Sequence, residues 1–297
     1  MNNQAMKIIK FLFFFALTAS IFYLIFRKVN YLSLKEVFLN AKWQYLAIGG
    51  LIVVLTQVIS AKKWQIILKA MDYSISFKDS FRIIMAASPV SAIIPAKAGD
   101  LIRAYYLKDK IPAAKVAGGV VAERFIDISI LAFYSFLGAL FFKNWLIFSI
   151  SSSVILLILL VFLIISRIRV PLGNWQERIE SFLYISKIFT NEPKKLLPIL
   201  YYGAILWLSP ILTAKFFFLG LGVSVPLFYV AAAFPLAIFV SLLPITIAGM
   251  GTRDSAIIYL FSQFASTPVC LAVGLLYSFF AFWFLALLGL PFMKKML

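Results

Sequence analysis

Residues 125–165 read FIDISILAFYSFLGALFFKNWLIFSISSSVILLILLVFLII, a stretch in which only Asp127 and Lys143 carry charge. A helix that crosses a bilayer needs about 20 consecutive apolar residues, so this run is long enough for two, divided near Lys143-Asn144. Its apolar residues are continuous rather than alternating, which argues against the strands of a membrane β-barrel. Similar runs occupy 11–26, 45–60, 199–214, 225–248 and 268–293. The whole chain follows suit: of 297 residues, 63% are hydrophobic and 13% charged, with a mean hydropathy of +1.01. Soluble domains run at about 45–50% apolar and about 25% charged. A soluble globular domain, a disordered chain and a fibrous repeat are therefore excluded. The composition predicts an all-α polytopic membrane protein, read as a single transmembrane domain over 1–297.

Charge and missing residue types narrow the chemistry. Lys and Arg number 28 against 11 Asp and Glu, a net charge of +17. These cations sit in loops and at helix ends, where they face anionic headgroups. No motif that reads DNA or RNA accompanies them, so nucleic acid is not an expected partner. There is no His, which removes Ser-His and Cys-His nucleophilic pairs, His-ligated zinc and His proton relays. The single Cys270 can form neither an intrachain disulfide nor a thiolate cluster. There is no Gly-x4-Gly-Lys-Ser/Thr motif, so ATP is not the direct driving force. No cofactor and no metal are expected.

The segment after Lys7 and Lys10, Phe11 to Phe26, looks at first like a secretory signal. It exceeds the usual h-region of about 7–15 residues and ends in Arg27-Lys28, so it is read as a retained first helix, about 8–26. Residues 27–44 suit an interfacial amphipathic helix. A second span, 43–61, opens on Trp43 and Tyr45 as interface anchors and is closed by Lys62 and Lys63. Further spans are expected at 116–142, 144–165, 198–220 and 268–292, about six in all. Residues 166–197 form a polar loop with an amphipathic helix near 174–189. The positive-inside rule puts both termini, Lys62-Lys63 and this loop in the cytoplasm of a cell membrane, although the cations of 27–42 count against that orientation.

Two broken segments, 80–115 and 225–264, interrupt the spans and are expected to be re-entrant helical hairpins. Pro89 and Pro95 break the first; Pro235 and Pro244 break the second. The first contains PAKAGDLIRA (95–104), the second PITIAGMGTRD (244–254). Gly99 and Gly249, like Arg103 and Arg253, are 150 positions apart. Halves of about 1–142 and 144–297 entering from opposite faces would form an inverted repeat, a transporter design. Gly99, Gly249 and Gly251 let the backbone turn and a ligand approach. Helices starting there offer free N–H groups to an anion, with Asp100 and Thr252 as N-caps. Arg103 and Arg253 would grip a phosphate bidentately. The alternative is that both arginines are interfacial anchors or structural ion pairs.

A third motif, Glu123-Arg124-Phe125-Ile126-Asp127, opens the 125–142 run. Glu123 and Asp127 are i, i+4 and share a helix face. Ionisable groups in a span are costly, usually pair and mark a pathway. Glu123, Arg124 and Asp127, with Asp100 and Asp254, would balance the arginines or carry a coupling proton, or else form an ion-pair cluster that positions the hairpins. Two carboxylates also suit a membrane-embedded enzyme acting on a lipid-linked sugar or phosphate, but no nucleotide fold stands beside them.

The order of these three motifs resembles the lysylphosphatidylglycerol synthase transmembrane family, over nearly the whole chain. Family members often carry Glu where this chain has Asp100 and Asp254. The resemblance implies a flippase-like fold that moves a phosphate-bearing lipid, a phospholipid or a polyprenyl-phosphate-linked lipid, between leaflets. It does not imply synthesis of a lysyl-lipid. In that expectation Arg103, Arg253, Gly99, Gly249, Gly251 and Thr252 meet the lipid phosphate. Membrane lipids are the implied partners, and lipid- or glycan-synthesis enzymes and a second copy of the chain are compatible with it. The competing expectations are the embedded enzyme and a non-catalytic subunit of a lipid or glycan pathway.

Overall fold

A computed structural model describes residues 31–167, 192–242, 246 and 249–296, with Ala16, Ala19–Ile21, Tyr23, Leu24 and Arg27. Most of the expected first span, the amphipathic helix near 174–189 with most of its loop, and Pro244 lie outside the described residues. Regular structure within them is entirely helical. The order is α1 (Tyr31–Leu39), α2 (Trp43–Ala70), α3 (Phe77–Ile93), a 3-10 turn (Pro95–Leu101), α4 (Ile102–Tyr106), α5 (Ala113–Phe142), α6 (Trp145–Arg167), α7 (Pro193–Gly220), α8 (Leu227–Leu242), α9 (Thr252–Phe261), α10 (Thr267–Ser278), a π-helical stretch (Phe279–Phe284) and α11 (Leu285–Lys294). Among the described residues, four continuous helices are long and apolar enough to cross a membrane: Trp43–Ala70, Ala113–Phe142, Lys194–Gly220 and Thr267–Lys294. The chain is a polytopic α-helical membrane protein.

One expected boundary is wrong. Lys62-Lys63 does not close the second span, because α2 runs on to Ala70 and Lys63 is fully buried within it. Two proline assignments also change. Pro89 lies inside α3 and Pro235 inside α8, and neither ends its helix. Pro89 cannot donate to the Met85 carbonyl, and that carbonyl and the proline ring instead face Gly289 of α11; a Cβ there would stand 2.4 Å from Met85 O. The missing hydrogen bond thus becomes a packing surface. The break comes at Ile94, and Pro95 starts the 3-10 turn, where its absent N–H costs nothing.

Elements recur at a constant register. Helices α2 and α7 have 28 residues each and start 150 positions apart, and α3 and α8 start at Phe77 and Leu227. The turn after α2 has positive φ at Asp72 and the turn after α7 at Gly222. Each short helix then folds back as a hairpin. Gly99 packs on the backbone of Ser91 and Tyr106 donates to Ala86 O, so the chain retraces α3. Gly249 likewise packs on Ser241, and Tyr229 donates to Leu260 O. Packing is reciprocal: α2 lies against α7, α3 against α11, and α8 against α5.

Small residues allow these approaches, as expected where lipid removes the hydrophobic drive between helices. Gly49 sits on Phe217, Gly220 on Leu46 and Gly138 on Ala232. The outward faces are apolar, with Leu51, Leu55, Phe133, Phe141, Leu156 and Leu160 exposed. The charged residues Lys63, Arg103, Glu123, Asp127, Arg253 and Asp254 are buried. At Gly138, a Cβ would stand 2.7 Å from the Ala232 backbone nitrogen, which cannot yield as a side chain would. Gly138→Leu should cost at least about 1–3 kcal/mol and lower the thermal unfolding midpoint in detergent. Leu137→Phe on the neighbouring exposed position should leave it unchanged.

Candidate functional site

Four elements converge on one charged cluster. Helix α5 starts after Pro112 and carries Glu123, Arg124 and Asp127 on adjoining turns. Helix α2 brings Lys63, the 3-10 turn brings Asp100, and α4 brings Arg103. Lys63 Nζ lies 3.0 Å from Glu123 Oε1 and 2.5 Å from Asp127 Oδ1. Arg103 donates to Glu123 Oε2 at 2.7 Å and approaches Asp100 Oδ2 at 3.3 Å. Ser91 Oγ donates to Asp100 Oδ1 at 2.6 Å, tying the cluster to α3. The Arg103 guanidinium also lies over the Trp64 ring, 4.9 Å from its centroid.

Arg124 is held differently. Its Nη2 is shared among Asp127 Oδ2 at 3.2 Å, Asp100 Oδ2 at 3.5 Å and Glu123 Oε2 at 3.5 Å. Its side chain is 24% exposed, whereas those of Lys63, Arg103, Glu123 and Asp127 are at most 4% exposed. Nε of Arg103 and Nε of Arg124 make no hydrogen bond. The six side chains comprise three cations and three carboxylates, so the cluster is neutral. Desolvating each ion costs several kcal/mol, which only close pairing offsets.

Asp100, Arg103, Glu123, Arg124 and Asp127 of the cluster wall a cavity of about 120 Å³. Thr56, Gln57, Ser60, Ser88 and Ser91 add polar atoms, and Leu206, Trp207 and Phe282 close the apolar side. Phe282 belongs to the π-helical stretch, a distortion that is frequent at functional sites. The cavity thus sets two guanidinium groups and three carboxylates opposite an apolar wall.

The second hairpin contributes differently. Arg253 and Asp254 are fully buried but are not among the residues lining this cavity. Arg253 Nη2 donates to Ser278 Oγ and lies 3.5 Å from Asp254 Oδ1, and the guanidinium rests over the Tyr277 and Phe282 rings, at 4.9 and 5.5 Å. Phe282 therefore touches both places. Gly251, at φ +86°, precedes α9, and its N–H donates to Asp254 Oδ2 at 2.8 Å. A Cβ at Gly274 would stand 2.3 Å from Asp254 Oδ1, so glycine there makes room for the carboxylate.

The expected N-caps are corrected: Asp100 accepts from Ser91 and pairs with arginines, while Thr252 Oγ1 meets Gly249 O and Thr246 Oγ1. Neither caps a helix by its side chain. Gly99 serves close packing rather than a special backbone angle, whereas Gly249 needs φ +67°. Lys63 was missed because a Lys pair after an apolar run reads as the end of a span. The overlooked signal is that Trp64, Ile66, Ile67 and Leu68 continue the run.

Comparison with known proteins agrees with this architecture. The family described as lysylphosphatidylglycerol synthase TM region matches residues 8–289. A UPF0104 membrane protein of Methanocaldococcus jannaschii is 27% identical over 93% of this chain and 89% of its own length. A second from the same organism is 25% identical over 67% of this chain and 91% of its own length. One from Methanothermobacter thermautotrophicus is 21% identical over 76% of this chain and 78% of its own. The chain belongs to the lysylphosphatidylglycerol synthase transmembrane-region family.

Charge balance makes a direct prediction. Lys63→Met strands Glu123 and Asp127 beside too few cations, and breaking such a buried pair costs about 3–5 kcal/mol. Lys63→Met with Asp127→Leu restores neutrality and should recover most of the thermal stability. A double variant less stable than the single one would contradict the pairing.

Proposed function

From this family membership and the geometry of the cluster, we propose that the chain is a lipid translocase, moving a phosphate-bearing lipid between leaflets without ATP. The observation that carries the reading is a neutral six-ion cluster, five of whose members line a cavity inside an otherwise apolar bundle. Ionisable groups held at such a cost usually mark a pathway. The proposed substrate is a phospholipid or a polyprenyl-phosphate-linked lipid, whose tail stays in the bilayer while its headgroup crosses.

Arg124 is the cation best able to change partners, because it is partly exposed and spread over three carboxylates at 3.2–3.5 Å. A planar guanidinium matches two phosphate oxygens. Arg103 Nε and Arg124 Nε supply further donors. Arg253 would act on the substrate only through Phe282, its main part being to fix the second hairpin on α10. A phosphodiester entering a neutral cluster leaves one uncompensated negative charge in an apolar setting. A proton carried with the headgroup would remove that charge, so the reading couples one phosphodiester to one proton.

The 150-residue register and the reciprocal packing of α3 on α11 and α8 on α5 support an inverted repeat in which both hairpins are re-entrant. A two-fold relation exchanges these contacts and leaves α2 on α7. In this reading the chain lies in the cell membrane with both termini cytoplasmic, as the loop cations favour.

The test is transfer in proteoliposomes of labelled phosphatidylglycerol and of a labelled polyprenyl-phosphate-linked sugar, both phosphodiesters. Arg124→Lys, which keeps the cluster neutral but removes the planar fork, should slow transfer at least about tenfold at unchanged folding, the least expected on losing a bidentate phosphate contact. Transfer by Arg124→Lys at the unaltered rate would discard this site. Product formation from a lipid-linked sugar, without transfer, would favour the embedded enzyme.

A further inference from the structure

A second cavity, of about 330 Å³, opens among the N-terminal turn of α3, the segment after α4 and the end of α11. Its polar lining is Arg82, Lys110, Lys295, Asp79 and Tyr106, three cations against one carboxylate among the described residues. Asp79 is already engaged, accepting from Ser76 Oγ at 2.8 Å, and stands 3.8 Å from Arg82 Nη1. The Arg82 side chain is 41% exposed. Phe292 supplies an apolar wall, backed edge-on by Phe81 at 5.8 Å. The short helix α4 separates the two cavities, giving Arg103 to the buried cluster and Tyr106 to this one.

The corresponding place one register later is packed shut. The positions 150 residues from Asp79, Arg82, Tyr106 and Lys110 are Tyr229, Ala232, Ala256 and Leu260. Tyr229 fills that place, its ring 5.3 Å from Phe142, 5.6 Å from Phe261 and 4.6 Å from Phe264, with its hydroxyl donating to Leu260 O. The same scaffold thus builds a solid aromatic plug in one place and an open basic cavity in the other. A void of this size left dry would forfeit packing, whereas a cationic one at the helix ends suits an anion.

We propose that the Arg82–Lys110–Lys295 cavity binds the phosphate of an anionic lipid headgroup, with the acyl chains lying along the Phe81–Phe292 wall. Basic pockets between membrane helices hold headgroups in this way. The site is separate from the buried cluster and holds whether or not the chain moves lipid. It takes a lipid that stays at the membrane surface, because α4 and the Tyr106–Ala86 hydrogen bond close the way inward.

The test is native mass spectrometry of the full chain titrated with phosphatidylglycerol, phosphatidylcholine or inorganic phosphate. Wild type should retain one phosphatidylglycerol in preference to phosphatidylcholine. Lys110→Gln/Lys295→Gln changes two exposed side chains and should weaken that retention about thirtyfold. Its lipid-free thermal midpoint and its cluster-dependent lipid transfer should stay as in wild type. Equal retention of both lipids, or unchanged retention in the double variant, would overturn the proposal. Displacement of the lipid by millimolar inorganic phosphate would also overturn it, making the cavity a site for a free ion.

Discussion

Six charges can stand inside this bundle only because they cancel. Lys63 on α2 bridges Glu123 and Asp127 on α5, and Arg103 on α4 joins Glu123 to Asp100 on the 3-10 turn. The partners come from four elements, so the pairing holds only when α2, the first hairpin and α5 are all in place. Breaking one link leaves a charge with neither water nor a counterion, which is the expensive outcome in an apolar interior. The first hairpin is thereby fixed by electrostatics and by the seating of Gly99 on Ser91. The outer surface, rich in exposed Leu and Phe, needs no such arrangement because lipid is its solvent.

One register carries two contents. Positions 150 residues beyond Lys63, Glu123, Arg124 and Asp127 are Thr213, Val273, Gly274 and Tyr277. The arginine is kept at both places, as Arg103 and Arg253, and each lies over an aromatic ring, Trp64 or Tyr277. Among the described residues, only the first place surrounds it with a lysine and three carboxylates. The second gives Arg253 the carboxylate of Asp254 beside it and the Ser278 hydroxyl. A shared backbone plan therefore supports an ionic cavity in one place and an aromatic anchor in the other.

Much of this was legible in the sequence, for physical reasons. Continuous apolar runs of spanning length fix an all-helical membrane class. The motifs around Gly99-Asp100, Glu123-Asp127 and Gly249-Asp254 picked out buried charges because charge is rare in such a chain. Arg103, Glu123 and Asp127 meet in space as their chemistry suggested. Lys63 was hidden because a lysine after an apolar run is usually an end, and only tertiary pairing distinguishes an end from an interior ion. The capping roles given to Asp100 and Thr252 failed because stronger partners, Arg103 and Arg124 for the one and Gly249 O and Thr246 for the other, claim those side chains. Pro89 failed as a breaker because Gly289 lets a neighbouring helix cover the gap it leaves.

The central claim is that a neutral cluster accepts a phosphate only together with a proton. The most direct measurement is lipid transfer in sealed proteoliposomes under an imposed pH gradient, compared with an imposed potassium-diffusion potential. If one proton accompanies each phosphodiester, transfer is electroneutral: the pH gradient drives net movement and the potential does not. Net movement that follows the potential and ignores the pH gradient would contradict the account.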